Sequence, residues 1–423
     1  MSEIIASIKK YNFWYNNQIE VGYKRTEYLT KAIRFSGNRL IKVFVGQRRS
    51  GKSFILKQVL NWLINNDVAP ENTLYINKEY IEFDFLTDYK QLAELIATYE
   101  NELKPTGKKY IFIDEIQNID GWEKIINSLS QNTVDSYEIF ISGSNSQLLS
   151  GELATLLSGR YVTLQVFPFS YFEYCNFLQK PYAKQSYSDY LQSGGLPELF
   201  HLQDDELKRY YVSAIKDTVL LRDIVQRYNI KDAKLLEDIF AFLVNNASDL
   251  ISIPNIVNYF KSKNRNTNYE TVAAYIGYIK FTYLIHQAEK YSIKGKEILS
   301  GSCKYYSNDL SFKNYLYAGY AYGIGYLLEN SVYLQLRQAG FEVYTGTLRN
   351  AEIDFVAKKN DQILYFQVSY LLTDDATIER EYGAYNSIKD NYEKYVVTMD
   401  DIELPSRNGI RHVQVWKLHE LLK

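Results

Sequence analysis

The chain has 423 residues, long for one compact domain, so two or three domains are expected. Its 46% hydrophobic content suits globular cores, and a net charge of −2 excludes a uniformly basic nucleic-acid binder, so any basic patch has to be local. Two cysteines, Cys175 and Cys303, lie far apart without CxxC spacing, which argues against a disulfide scaffold or a cysteine zinc site and fits a reducing cytoplasm. The opening MSEIIASIKKYNFWYNNQIE lacks the layout of a signal peptide, and no apolar run approaches the roughly 20 residues that span a bilayer. A cytoplasmic protein without a membrane partner is expected. Forty tyrosines raise the aromatic share to 15%, which is compatible with a compositional habit.

The first informative stretch is VFVGQRRSGKS, Val43 to Ser53, between a β-prone run and the amphipathic FILKQVLNWLI. It fits G-x-x-x-x-G-K-S over Gly46, Gln47, Arg48, Arg49, Ser50, Gly51, Lys52 and Ser53. The glycines permit a path on which backbone N–H groups converge on phosphate oxygens. Lys52 then reaches the β and γ phosphates, and Ser53 offers a hydroxyl to Mg²⁺. A helix starting near Gly51 adds its positive dipole end. Arg48 and Arg49 are either part of this grip or solvated.

Next, KKYIFIDEIQN reads as a strand buried on both faces with two carboxylates at its carboxyl end. In a phosphate-loop fold Asp114 would hold Mg²⁺ through water, and Glu115 would polarise the attacking water. A further strand, SYEIFISGSNSQLL, ends in Ser144 and Asn145, where related ATPases place a side chain that senses the γ-phosphate; a plain helix-capping turn is the alternative. Arg160, just before another strand, is a candidate to approach a phosphate in a neighbouring subunit or after a domain movement, or else an exposed structural arginine.

Together GQRRSGKS, IFIDEIQN, ISGSNSQLLSG and SGRYVTLQVFPFSYFEY resemble the AAA-type ATPase domain of a widespread prokaryotic family. In that family a second region of unknown function follows, introduced by GGLPE, here Gly194 to Glu198. The resemblance implies ATP binding and hydrolysis with Mg²⁺. Strands expected near 41–45, 73–76, 109–113, 138–142 and 161–166 alternate with helical stretches. This pattern predicts an α/β domain over 1–200, a parallel sheet with the phosphate site at its carboxyl edge.

Residues 201–312 read as a helical connector followed by a winged-helix-like order: LLEDIFAFLVNNAS, SIPNIVNYFKS and NYETVAAYIGYIKFTYLI, then two strands around Gly295. Ser252 is the expected N-cap and Pro254 falls in the first turn. Between residues 253 and 304 eight basic residues, Lys304 among them, face three acids, which makes DNA a candidate partner. A protein-contacting or ATPase-lid role is the competing reading, since the third helix has few side chains suited to bases.

Residues 313–423 open with the helix YAYGIGYLLENSVYLQLRQAG and continue with five β-prone segments. A helix bearing Glu329, a strand ending in Asp354 and a strand in the next position resemble the restriction-endonuclease-like fold. Active members of that fold carry an E-x-K triplet, where this chain reads Gln367, Val368, Ser369. Glu329, Glu352 and Asp354 remain as metal-ligand candidates, but catalysis lacks an acid and a lysine. A catalytically inactive domain is expected.

The reading that best joins these parts is an ATPase, homo-oligomeric if Arg160 acts in trans, whose nucleotide state controls C-terminal domains on a DNA or protein partner. An ATP-gated metal-dependent nuclease and a nucleotide-binding module with negligible turnover are the alternatives.

Overall fold

Five apolar runs become five strands of one parallel sheet: β1 (Ile41–Val45), β2 (Thr73–Asn77), β3 (Lys109–Asp114), β4 (Tyr137–Gly143) and β5 (Tyr161–Gln165), in the order β2-β3-β4-β1-β5. The computed structural model describes residues 3–146, 157, 159–318, 323–349 and 351–422. The chain divides into two compact units, Met1–Val166 and Phe167–Lys423.

In the first unit β1, β2 and β4 are buried along their whole length, as their near-continuous apolar sequence requires. Helices α1 (Glu3–Ile8), α2 (Thr26–Arg34), α3 (Lys52–Ile64), α4 (Tyr89–Leu103) and α5 (Trp122–Gln131) intervene. Helix α3 packs Ile55, Leu56, Val59 and Leu60 against Phe44, Phe112 and Phe140 of the sheet. Each such fully buried side chain contributes about 1.5–3 kcal/mol. Helix α4 starts at a capping box: Asp88 accepts from the backbone of Gln91, whose side chain accepts from Asp88 N. The open edge of β2 is covered by the N-terminal segment. Asn12 exchanges two hydrogen bonds with the backbone of Tyr75, at 2.7 and 3.1 Å, and Trp14 Nε1 donates to Thr73 O at 2.7 Å. These side chains satisfy groups that an edge strand leaves unpaired. In a parallel sheet the carboxyl ends of β1, β3 and β4 share one edge, and with β4 between the other two their loops are neighbours.

The second unit holds a mixed seven-stranded sheet in the order β12-β11-β10-β9-β8-β6-β7. Its strands are β6 (Ile285–Ser292), β7 (Glu297–Ser307), β8 (Glu342–Thr347), β9 (Glu352–Lys359), β10 (Gln362–Val368), β11 (Glu393–Thr398) and β12 (Ile410–Gln414). Immediately before β6 come the helices Ala233–Asn245, Ile253–Ser262 and Tyr269–Phe281, the second capped by Ser252 with Pro254 in its first turn. The expected order of helices and hairpin is therefore present. The sequence reading separates this hairpin from the following domain at residue 312, whereas here the two belong to one sheet. The reason is pairing: the free edge of β6 takes β8 in parallel, Lys290 to Ser292 opposite Thr345 to Thr347. Asp354 also differs from expectation, standing third in β9 rather than at a strand end. The long expected helix runs Ile324–Gln338, with residues 319–322 outside the described ones.

Candidate functional site

The loop after β1 has the geometry its glycines predict. A Cβ on Gly46 would lie 2.1 Å from Val166 O, so a larger residue cannot follow this path, and Gly51 takes φ +96° to turn into α3. Lys52, 4% exposed, folds back to donate to Gly46 O and Gln47 O at 3.0 Å each, with Glu115 Oε1 at 3.9 Å. Arg48 pairs with Glu79 at 2.7 Å, and Arg49, at φ +63°, is exposed. The Ser50 hydroxyl is buried in the loop with no hydrogen-bond partner. Such an orphan beside a glycine path and a helix N-terminus fits a bound phosphate, which accepts hydrogen bonds.

Asp114, fully buried at the end of β3, is the hub of the adjoining carboxyl edge. It accepts from Ser142 Oγ, from Tyr75 OH and Asn77 Nδ2 at 3.1 Å each, and is bonded to the Ser53 side chain. Burial, then the neighbouring Glu115 charge, pushes its carboxyl above the usual range. Ser53 and Asp114 thus meet, as a loop serine and a strand-end aspartate holding Mg²⁺ would.

Glu115 sits at φ 54°, ψ 46°, a strained left-handed position for a non-glycine residue. Its Oε2 accepts from Gln117 Nε2 and, at 3.0 Å, from Ser144 Oγ. Burial works against its charge. The Lys52 and Arg48 charges, helped by the Gln117 and Ser144 bonds, outweigh burial and hold the carboxyl below the usual range. Held ionised, Glu115 is in the form that can accept a hydrogen bond or a proton from water.

The structure therefore gathers Lys52, Ser53, Asp114, Glu115 and Ser144 within one network, with Asn145 buried next in the chain. It does not bring Arg160 there. Arg160 precedes β5, its carbonyl accepting from Ile41 N at 2.9 Å, so it lies level with the start of β1, opposite the loop edge. Its guanidinium contacts Asn127 Oδ1 at 3.4 Å. The motif around it is only partly visible, since residues 147–156 and 158 lie outside the described ones.

Sequence reading passed over Tyr75, Asn77, Ser142 and Gln117. Asn77 had a signal, a polar residue closing the apolar strand TLYIN, and Ser142 had another, standing two before Ser144. It also passed over Arg25, whose Nη1 donates to Ser50 O at 2.8 Å while its own backbone N–H donates to Gln58 Oε1 at 3.0 Å. Gln58 in turn donates to Val21 O and Tyr23 O, tying this segment to α3.

In the second unit Glu329, Glu352 and Asp354 do come together, and two expectations need correction. Lys304 is not a solvated phosphate contact: it is 4% exposed and ion-paired to these acids. Nor is the cluster without an ammonium, because Lys304 enters from β7 instead of the strand position read as Ser369. Four other lysines of the basic segment, Lys261, Lys263, Lys294 and Lys296, are exposed.

Residues 38–175 match the family described as AAA domain, and residues 184–321 match a domain of unknown function, DUF8612. An uncharacterized protein of Haemophilus influenzae is 36% identical over 397 residues, covering 92% of this chain and 97% of its own. One from Methanocaldococcus jannaschii is 30% identical over 387 residues, covering 85% and 82%. Among solved structures, Orc1 of Aeropyrum pernix in complex with DNA has a TM-score of 0.33 at 13% identity, covering 69% of this chain and 89% of that one. Cdc6p of Pyrobaculum aerophilum has 0.31 at 11%, covering 68% and 90%. At these TM-scores the likeness carries no functional inference. Among the described residues no helix is long and apolar enough to cross a membrane. With its phosphate loop, parallel sheet and matched AAA domain, the chain belongs to the family that includes the Haemophilus influenzae and Methanocaldococcus jannaschii proteins, a family with a P-loop AAA nucleotide-binding domain.

Proposed function

We propose that this protein is a Mg²⁺-dependent ATPase whose nucleotide state controls how the residues after Val166 engage DNA or a protein partner. The observation that carries this reading is the meeting of Lys52, the Ser53–Asp114 pair and Glu115 at one sheet edge. A module that only binds nucleotide needs the first two but not a second carboxylate anchored by Gln117 and Ser144.

The loop from Gly46 to Ser53 would hold the phosphates, with Lys52 leaving its loop carbonyls to meet the β and γ oxygens. Ser53 and Asp114 would hold Mg²⁺, which when bound neutralises charge on the phosphate oxygens. Glu115 would take the proton of the attacking water at its carboxylate, oriented by Ser144 and Gln117. Ser144, bonded to Glu115, would register the γ-phosphate, with Asn145 beside it in the chain as a second candidate. Arg160, remote from its own loop, suits a role in trans, where a cation from a neighbour completes the site.

Support for DNA as partner is the helix-helix-helix-hairpin order with Lys261 and Lys263 at a helix end and Lys294 and Lys296 at the hairpin turn, all exposed. The test is the ATP turnover rate with and without DNA over a protein dilution series. Turnover per chain that rises with concentration, flattens in Arg160→Ala and responds to DNA supports the reading. Turnover indifferent to dilution and to DNA would remove both the trans arginine and the DNA partner.

A further inference from the structure

Three carboxylates from two elements point at one spot in the second unit, and a lysine already occupies it. Lys304 Nζ lies 3.0 Å from Glu329 Oε1, 2.8 Å from Glu352 Oε1 and 3.6 Å from Asp354 Oδ1. Glu329 comes from the helix Ile324–Gln338, Glu352 and Asp354 from alternate positions of β9, and Lys304 from β7. Two further donors reach these acids. Tyr306 OH donates to Glu329 Oε1 at 2.8 Å, and Val368 N donates to Asp354 Oδ2 at 2.8 Å. Gln367, in the expected metal-ligand position, instead accepts from Asp354 N at 3.3 Å.

Carboxylates gathered on one point, Glu329 and Asp354 largely buried and Glu352 partly exposed, repel one another unless a cation sits among them. A divalent metal is one solution, requiring oxygens at roughly 2.0–2.6 Å. An ammonium with three N–H donors is another. Tethered to β7, it cannot diffuse away. Its distances to Glu352 and Glu329 are those of charge-assisted hydrogen bonds, Asp354 at 3.6 Å is held by charge alone, and among the described residues no group of three or more His, Cys, Asp or Glu is arranged to hold a metal ion.

We infer that Lys304 is the resident cation of this acidic cluster, standing where a divalent metal would otherwise sit, and that removing it converts the cluster into a divalent-metal site. The inference is independent of the ATPase reading.

The experiment measures Mn²⁺ binding by paramagnetic resonance on the full-length protein, without nucleotide. Lys304→Met should bind one more Mn²⁺ per chain than wild type, and Lys304→Met/Asp354→Asn should lose it. Lys304→Arg, which keeps the cation, should behave as wild type. If Lys304→Met does not fold, Lys304→Met/Glu329→Gln lowers the uncompensated charge and should show the added site. Recovery of folding by Mn²⁺, but not by Na⁺ at matched ionic strength, would support the inference equally. An Asp354-dependent Mn²⁺ site already present in wild type would overturn it and make Lys304 the ammonium of a metal site. So would a folded variant with no added site, or variants that no divalent ion restores.

Discussion

Ser144 Oγ donates to Glu115 Oε2 over 3.0 Å, linking the end of β4 to the carboxylate that follows β3. Two residues earlier, within β4, Ser142 serves Asp114 in the same way, so the strand end and the residue just past it each hold one of the two acids. Losing a hydrogen bond to a charged group costs about 1.5–3 kcal/mol. Ser144→Ala should therefore lower kcat roughly tenfold or more with KM little changed, and Ser144→Thr should retain most activity. Steady-state kinetics decide this; an unaltered kcat would detach Ser144 from the base.

Arg25 holds the phosphate loop from behind through Ser50 O. Arg25→Ala should weaken ATP binding roughly tenfold, the worth of one charge-assisted hydrogen bond, and Arg25→Lys should recover part of it. Calorimetric titration of ATP, with melting of the nucleotide-free proteins as a control, tests this. Equal affinities would confine Arg25 to a structural role.

Asp309 is buried between the GGLPE turn and β7, accepting from Gly195 N at 2.7 Å and Ser311 N at 2.9 Å, and burial pushes its carboxyl up to about 6. Its folded pKa is above the unfolded value of 3.8, so the folded state holds the proton more tightly. The stability this contributes is present below the unfolded value and lost as pH rises through about 6. Relative to Asp309→Asn, wild type should lose on the order of 3 kcal/mol as pH rises from below about 4 to above about 6. Denaturant unfolding at several pH values measures the difference, and a constant gap would contradict the buried-carboxyl account.

If Lys261, Lys263, Lys294 and Lys296 contact phosphates, DNA affinity should fall steeply with salt as counterions are released. Replacing all four should weaken binding and lower the salt slope by about 3–4, near one per lost contact. Undetectable binding at low salt would move the partner to protein.

Local chemistry made the first unit readable. Each of its strands is rich in β-prone apolar residues, and the loop and the acid pair sit at strand ends where a parallel sheet must gather them. What lay beyond reach depended on which strands become neighbours. That Asn77 would face Asp114, or that Arg25 would reach back to Ser50, follows from strand order and from the path of a segment without periodicity. The second unit shows the same limit more strongly. Helix order, the Ser252 cap and the hairpin were legible, because they are set by residues close in sequence. The joining of β6 to β8 was not, and with it went the meaning of Lys304, which reads as one more basic residue until β7 is placed beside β9 and the helix carrying Glu329.

The central claim is that Lys52 and Glu115 divide nucleotide binding from turnover. The measurement that tests it is phosphate release paired with equilibrium ATP binding, with Mg²⁺, for wild type, Lys52→Ala and Glu115→Gln. Lys52→Ala should lose binding, and Glu115→Gln should keep binding while turnover falls by about 10²-fold or more, as expected for removal of a positioned general base. Wild-type affinity in a folded Lys52→Ala protein, or undiminished turnover in Glu115→Gln, would contradict the account.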